Sequence, residues 1–310
     1  MNRFAEILRV VLPVLLTLLI GVLCRKKRLM DRAGIDALKT VAVQIGLPAV
    51  LLHTFAVTQY TLRDVMIPLI MFAVCVAAWL LGKALGPRLR MNSPFVPFLT
   101  TGFEAGMLGY ALFTLLYGSE QVASFARIDL GQVLFVFTLY KILLNRSEGK
   151  QVAVQTLVRE MVSSPIILAI AAGVLLGATG LYQALIPSGI SALVDACTDF
   201  VSAPAAALIL LAIGYDLVFD DIPWKDALSV VGLRLAIMAV LGTAVFFTLR
   251  QLFPELRSEA AVILMFLLPP PFVLPVFATG ESQRTYVSAS LSLSTLVSIL
   301  GFAILAMLGL

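Results

Sequence analysis

Charge is scarce in this chain: only 13% of its 310 residues are Asp, Glu, Lys or Arg, too few to coat a water-soluble surface of that size. Cysteine is also rare. Cys24, Cys75 and Cys197 lie far apart within or beside apolar runs, which supports neither a disulfide framework nor a metal site. There is one histidine, His53. No Ser/His/Asp arrangement, no HExxH and no phosphate-cradling loop stands out, so enzyme chemistry is not expected, and neither is a cofactor or a structural metal. An ATP-driven pump needs a soluble nucleotide domain, and no stretch long and polar enough for one is present.

What is there instead is apolar. Hydrophobic residues make up 60% of the chain, and the mean hydropathy is +1.02. A span needs about 20 mostly apolar residues, and ten stretches meet that measure: 5–24, 38–58, 64–86, 94–118, 122–145, 164–185, 190–217, 226–250, 258–280 and 283–308. The basic cluster Arg25–Arg28 follows the first run instead of preceding it, as expected of a retained span and not of a cleaved signal. The segment Asp31–Lys39 interleaves apolar and charged residues, which suits a short surface helix or a polar connector.

The longest polar stretch, Asn145–Met161, divides the spans five and five. The expected organisation is a first repeat (1–145), a cytoplasmic connector (146–162) and a second repeat (163–310). Five is odd, so the second set starts from the opposite side of the membrane, giving an inverted repeat. With the N-terminus outside, fifteen Lys and Arg fall on the cytoplasmic side and six outside, so both termini are expected outside. The net charge of +4 reflects those cytoplasmic loops, and nucleic acid is not an expected partner.

Two spans break down in the middle. Span 4 carries Gly102, Glu104, Gly106 and Gly109. Counting ten residues from Pro94 at 1.5 Å each puts Glu104 roughly 15 Å deep, near the centre of a ~30 Å core. A charge there costs at least ~2.5–3.5 kcal/mol, so a buried acid is by default a functional hypothesis. The bland alternative is a Gly102/Gly106 packing face with a protonated Glu104 bonding another helix. Span 9 carries Pro269, Pro270, Pro271 and Phe272, then Pro275. Three consecutive prolines remove three donors and bar continuous helix, whereas a simple kink needs only one. Pro270 comes roughly 18 Å deep from Ser258. Half-helices ending at mid-depth leave N–H groups in one place and carbonyls in another, suited to an anion and a cation respectively.

Other polar residues are candidates for the same site. In span 2, Gln44 and Pro48 are four apart and share a face, and His53 lies five residues beyond Pro48, on a different face; His53 suits either a proton carrier or an interfacial hydrogen-bonder. Asp129 and Gln132 meet on one face of span 5, lining a cavity or anchoring the helix end. Arg234 in span 8 is expected to snorkel toward the headgroups, Asp195 and Asp199 to be wetted, and Asp216 to sit at the cytoplasmic rim.

Five places carry a resemblance: Leu12-Pro13 through Arg25–Arg28, Gly46-Leu47-Pro48, Gly106-Met-Leu-Gly109 with Leu116-Tyr117-Gly118, Ser202-Ala-Pro204 with Ala212-Ile-Gly214, and Pro269-Pro270 with Phe277-Ala278. In order and spacing the chain resembles the auxin efflux carrier family, which includes bacterial malonate and malate permeases. The resemblance implies an all-α membrane protein of ten transmembrane helices, as two inverted five-helix repeats with broken helices 4 and 9 crossing at mid-membrane. It implies elevator-type alternating access and export of organic anions. Glu104 stands where family members commonly have Asn, Ala111 where a proline is common, and Val273 where Asn follows the proline pair.

The expected function is therefore secondary transport of a small organic anion or weak acid in a bacterial inner membrane, with Glu104 carrying a proton. Alternatives are Na+ binding by Glu104 together with broken-helix carbonyls, uncoupled transport, or a membrane ligand sensor of the same fold. A homodimer is among the expected assemblies.

Overall fold

Helices form where the apolar spans were expected, in a computed structural model that describes residues 3–58, 60, 62–118, 121–147, 155–156, 159, 162–217, 223–254, 259–278 and 280–308. Among the described residues there is no strand. Among the described residues, six helices are long and apolar enough to cross a membrane: α2 (Arg32–Val57), α3 (Met66–Arg88), α6 (Val122–Ser147), α9 (Ile190–Asp216), α10 (Trp224–Leu252) and α13 (Glu281–Leu308). A bent pair, α7 (Pro165–Ala178) and α8 (Leu181–Ser188), makes a seventh candidate. α1 (Arg3–Lys26) is a further helix of 24 residues. The two remaining expected spans are interrupted: α4 (Val96–Leu99) with α5 (Ala105–Tyr117), and α11 (Glu259–Leu267) with α12 (Leu274–Phe277).

Local chemistry accounts for these boundaries. The Asp31 carboxylate caps α2, accepting the Gly34 N–H at 2.8 Å. From there the helix runs through a π-turn at Ala42–Gly46 into the span without a stop. Asp31–Lys39 is thus helical, but it is the first part of a membrane-length helix and not a separate surface helix, because no proline or C-capping glycine intervenes. Pro165 occupies the first turn of α7, where a missing N–H costs nothing. Gly180 at φ +68 ends it, and the chain turns 67° into α8, so the expected span 164–185 is bent.

Many large apolar side chains face outward, including Leu12, Leu15, Leu16, Leu19 and Leu23 on α1 and Phe200, which is 84% exposed, on α9. Such a surface suits lipid and not water.

The chain divides into two compact units that interleave in sequence. One holds Met1–Val65, Gly106–Ala126 and Arg159–Asp216; the other holds Met66–Ala105, Arg127–Val158 and Leu217–Leu310. Each draws on both expected halves. In the first unit α1 packs on the second part of α9 and α7 on the second part of α2. Both contacts are backbone-close: Gly21 lies against Leu211, Gly214 and Tyr215, and Gly173 against Leu52 and Phe55. Small residues let helices approach this closely when no hydrophobic force drives them together. In the second unit α10 packs against α3, α11 and α13, with Ala227, Val231, Ala289 and Leu293 in one buried cluster. Of the expected connector, residues 148–154, 157–158 and 160–161 lie outside the described residues, as does Arg257.

Candidate functional site

Both interruptions fall in the second unit, and they are tied directly to each other. In the first, residues 101–104 leave helical form between α4 and α5. Gly102 takes φ +67, a left-handed conformation that side chains resist. Its α-carbon faces Pro271 so closely that a Cβ would come within 2.9 Å of the proline Cγ. In the second, residues 268–273 separate α11 from α12, as three donor-less prolines require.

Glu104 joins the two breaks at two points. Its backbone N–H donates to the Pro269 carbonyl at 2.8 Å, and its carboxylate accepts the Phe272 N–H at 2.6 Å. That separation is short for an N–H···O bond. The side chain is half-buried, while Gly102, Pro269, Pro270 and Pro271 are buried.

The broken ends leave carbonyls, and side chains satisfy them. Arg234, 3% exposed on α10, donates to the carbonyls of Leu99 (3.1 Å), Thr101 (3.4 Å), Gly102 (2.7 Å) and Leu268 (2.8 Å). Its guanidinium also lies 5.6 Å from the centre of the Phe103 ring, a favourable placement for a cation. The Tyr140 hydroxyl donates to the Phe98 carbonyl at 3.3 Å and Ser298 to that of Leu267 at 2.5 Å. Arg234 therefore does not snorkel to a headgroup, as its sequence position suggested. The converging carbonyls of two broken helices offer a buried guanidinium more partners than an interface would. The rule that flagged Glu104 applies equally to a lone arginine inside a span, and it was the available signal.

Asp129 and Gln132 are both buried and act together. The Gln132 amide donates to Asp129 at 3.1 Å and accepts the Phe103 N–H at 3.3 Å, so this pair braces the first break. Gly106 and Gly109 belong to a π-turn, Ala105–Gly109, a distortion frequent at functional sites.

A second feature belongs to the first unit. A cavity of about 320 Å³ is lined by His53, Thr54, Thr114, Thr198, Asp199 and Ser202, with Gly106, Tyr110 and small apolar residues completing its wall. His53 Nε2 lies 3.0 Å from Asp195, whose carboxylate also accepts the Tyr182 hydroxyl. Asp195 is thus partnered and not merely wetted. That cluster joins α2, α8 and α9, and no local pattern could announce it. Of the span 2 candidates, His53 lines the cavity. Gln44 is exposed in the π-turn of α2 and Pro48 is half-buried, and neither lines it. Asp216 holds Arg32 (2.6 Å) and Lys39.

These features define an all-helical membrane protein with two interrupted helices knitted together by internal charge. No protein-family model and no curated protein matches the sequence.

Proposed function

We propose that the protein is a secondary active transporter of a small organic anion or weak acid, coupled to protons through Glu104 and working by elevator-type alternating access. The reading includes membership of the auxin efflux carrier family, a ten-span topology of two inverted five-helix repeats with crossing helices 4 and 9, and both termini outside a bacterial inner membrane. One observation carries it: two interrupted helices, in corresponding places of the two halves, joined through a single carboxylate. Irregular backbone inside a membrane is tolerated only where protein or a wet cavity surrounds it, and paired breaks of this kind mark transporter binding sites.

The packing supports the repeat. Span 1 packs on span 7 and span 6 on span 2, which is one contact applied twice under exchange of the halves. The division into units supports the elevator, since both breaks belong to the same unit, the one that would carry the site.

The carboxylate supplies a coupling device. Protonation of Glu104 turns its bond with Phe272 from charge-assisted to neutral, a loss of about 1–2 kcal/mol. That shifts a two-state equilibrium roughly five- to thirtyfold, enough to make loosening of the breaks depend on the proton.

The test is flux in reconstituted vesicles under an imposed pH gradient, with a panel of labelled organic acids. Wild-type protein accumulates a substrate in response to the gradient, and Glu104→Gln abolishes the response while counterflow persists. Full proton-driven accumulation by Glu104→Gln sinks the coupling role. Absence of counterflow with every acid, alongside specific binding of one of them, favours a sensor instead.

A further inference from the structure

We infer that Arg234 is a built-in cation: its guanidinium fills the place where the carbonyl ends of the two breaks would hold a metal ion, and so makes the crossing independent of sodium. The inference deepens the proposed function, and rests on it, by naming which ion does not couple.

Oxygen atoms from two unwound helix ends converging on one point form the arrangement by which broken-helix transporters coordinate Na+. Here four such carbonyls, from Leu99, Thr101, Gly102 and Leu268, converge on the Arg234 guanidinium. The neighbouring carbonyls of Phe98 and Leu267 are taken by Tyr140 and Ser298. Every one of these six oxygens thus has a donor from the chain itself.

The charge belongs there for three reasons. Carbonyl ends of helices carry partial negative charge. The Phe103 ring adds its negative face. No ion pair among the described residues includes Arg234, so a carboxylate does not neutralise it before it reaches the carbonyls. Sodium would have to displace a fixed, multiply bonded cation rather than enter a vacancy.

Arg234 is accordingly a positioning residue, and the deciding readout is the cation dependence of thermal stability, which a purely packing role would leave unchanged. Purified wild-type protein is melted in NaCl and in choline chloride at matched ionic strength. Its Tm is expected to be the same in both. Arg234→Ala is expected to melt lower in choline and to regain part of the loss as NaCl is titrated in, because the emptied carbonyls accept Na+. Arg234→Lys, which retains a charge, is expected to melt between the two without a sodium response.

A sodium-dependent rise in the wild-type Tm overturns the inference. So does a folded Arg234→Ala that ignores sodium. Should Arg234→Ala not fold, the wild-type titration and the absence of 22Na+ binding to wild-type protein decide the matter, bound 22Na+ counting against it. The two levels separate cleanly. Sodium-driven uptake by the wild type defeats the inference and leaves transport standing, whereas a sodium-indifferent Tm without any flux defeats the transport reading and leaves the role of Arg234 intact.

Discussion

Adding one methyl group at Gly102 perturbs the break in two separable ways. Gly102 has φ +67, where a residue with a Cβ pays about 1–2 kcal/mol of backbone strain. A Cβ there would also stand 2.9 Å from Pro271 Cγ and 3.1 Å from its Cδ. The proline ring cannot swing aside as a flexible chain would, and overpacking of this kind costs about 1–3 kcal/mol. Gly102→Ala should therefore lose about 2–5 kcal/mol in all. Gly180 is the natural control, since it has φ +68 with nothing within 4 Å of its would-be Cβ. Gly180→Ala should lose only the strain, about 1–2 kcal/mol. The assay is thermal melting of both purified variants, with circular dichroism to verify that helix content is retained. The difference between them measures the contact of the breaks alone. Equal losses would refute the claim that Gly102 and Pro271 are in tight contact, and a stable Gly102→Ala would refute the break geometry altogether. Because the Gly102 carbonyl also accepts from Arg234 at 2.7 Å, under the proposed function the same methyl group should lower flux in proportion to the damage.

Two further outcomes follow from single contacts. Gln132→Leu removes the acceptor of the Phe103 N–H and the donor to buried Asp129, and should lower stability by about 1–3 kcal/mol, read as a drop in Tm; an unchanged Tm would mean that the brace is dispensable. Gly173→Ala would set a Cβ 2.7 Å from both the Leu52 carbonyl oxygen and Phe55 Cβ, forcing α7 off α2 at a cost of about 1–3 kcal/mol; a cysteine cross-linking series along the two helices should show their separation widen.

The breaks themselves were legible from the sequence because their causes are local. Consecutive prolines at 269–271 delete donors wherever they occur, and a cluster of glycines around a lone acid is conspicuous in an apolar run. Each expected span also has a helical counterpart, since apolar length is a property of the segment. What escaped was contact between segments. Arg234 looked like an interfacial residue because the carbonyls that claim it come from residues more than 130 positions earlier and about 34 later, and they converge only once both breaks have formed. His53 gained its partner Asp195 from the other half of the chain. The bend at Gly180 was within reach, since glycine after an apolar helical run is a common C-terminal signal, yet the hydropathy of 164–185 read straight through it. Asp31–Lys39 shows the reverse error: its charges suggested a separate element, although nothing in the backbone stops the helix before the span.

Glu104 and Arg234 together alter what a substrate must do. A pair of broken helices ordinarily presents an N–H end open to an anion and a carbonyl end open to a cation. In this protein the carboxylate of Glu104 already takes the Phe272 N–H, and the guanidinium of Arg234 already takes the carbonyls. That N–H and those carbonyls thus have partners within the chain, as irregular backbone inside a membrane requires. Under the proposed function, an incoming carboxylate would compete with Glu104 for the same donor and be repelled by its charge. One proton on Glu104 removes both obstacles, since it weakens the resident bond and cancels the like charge. Anion and proton would then bind cooperatively, and by linkage the proton affinity must rise by the same factor as the anion affinity. Equilibrium binding of a substrate anion should thus tighten as pH falls in wild-type protein and be independent of pH in Glu104→Gln; anion binding that weakens on acidification would reverse the sign and defeat this account of the coupling.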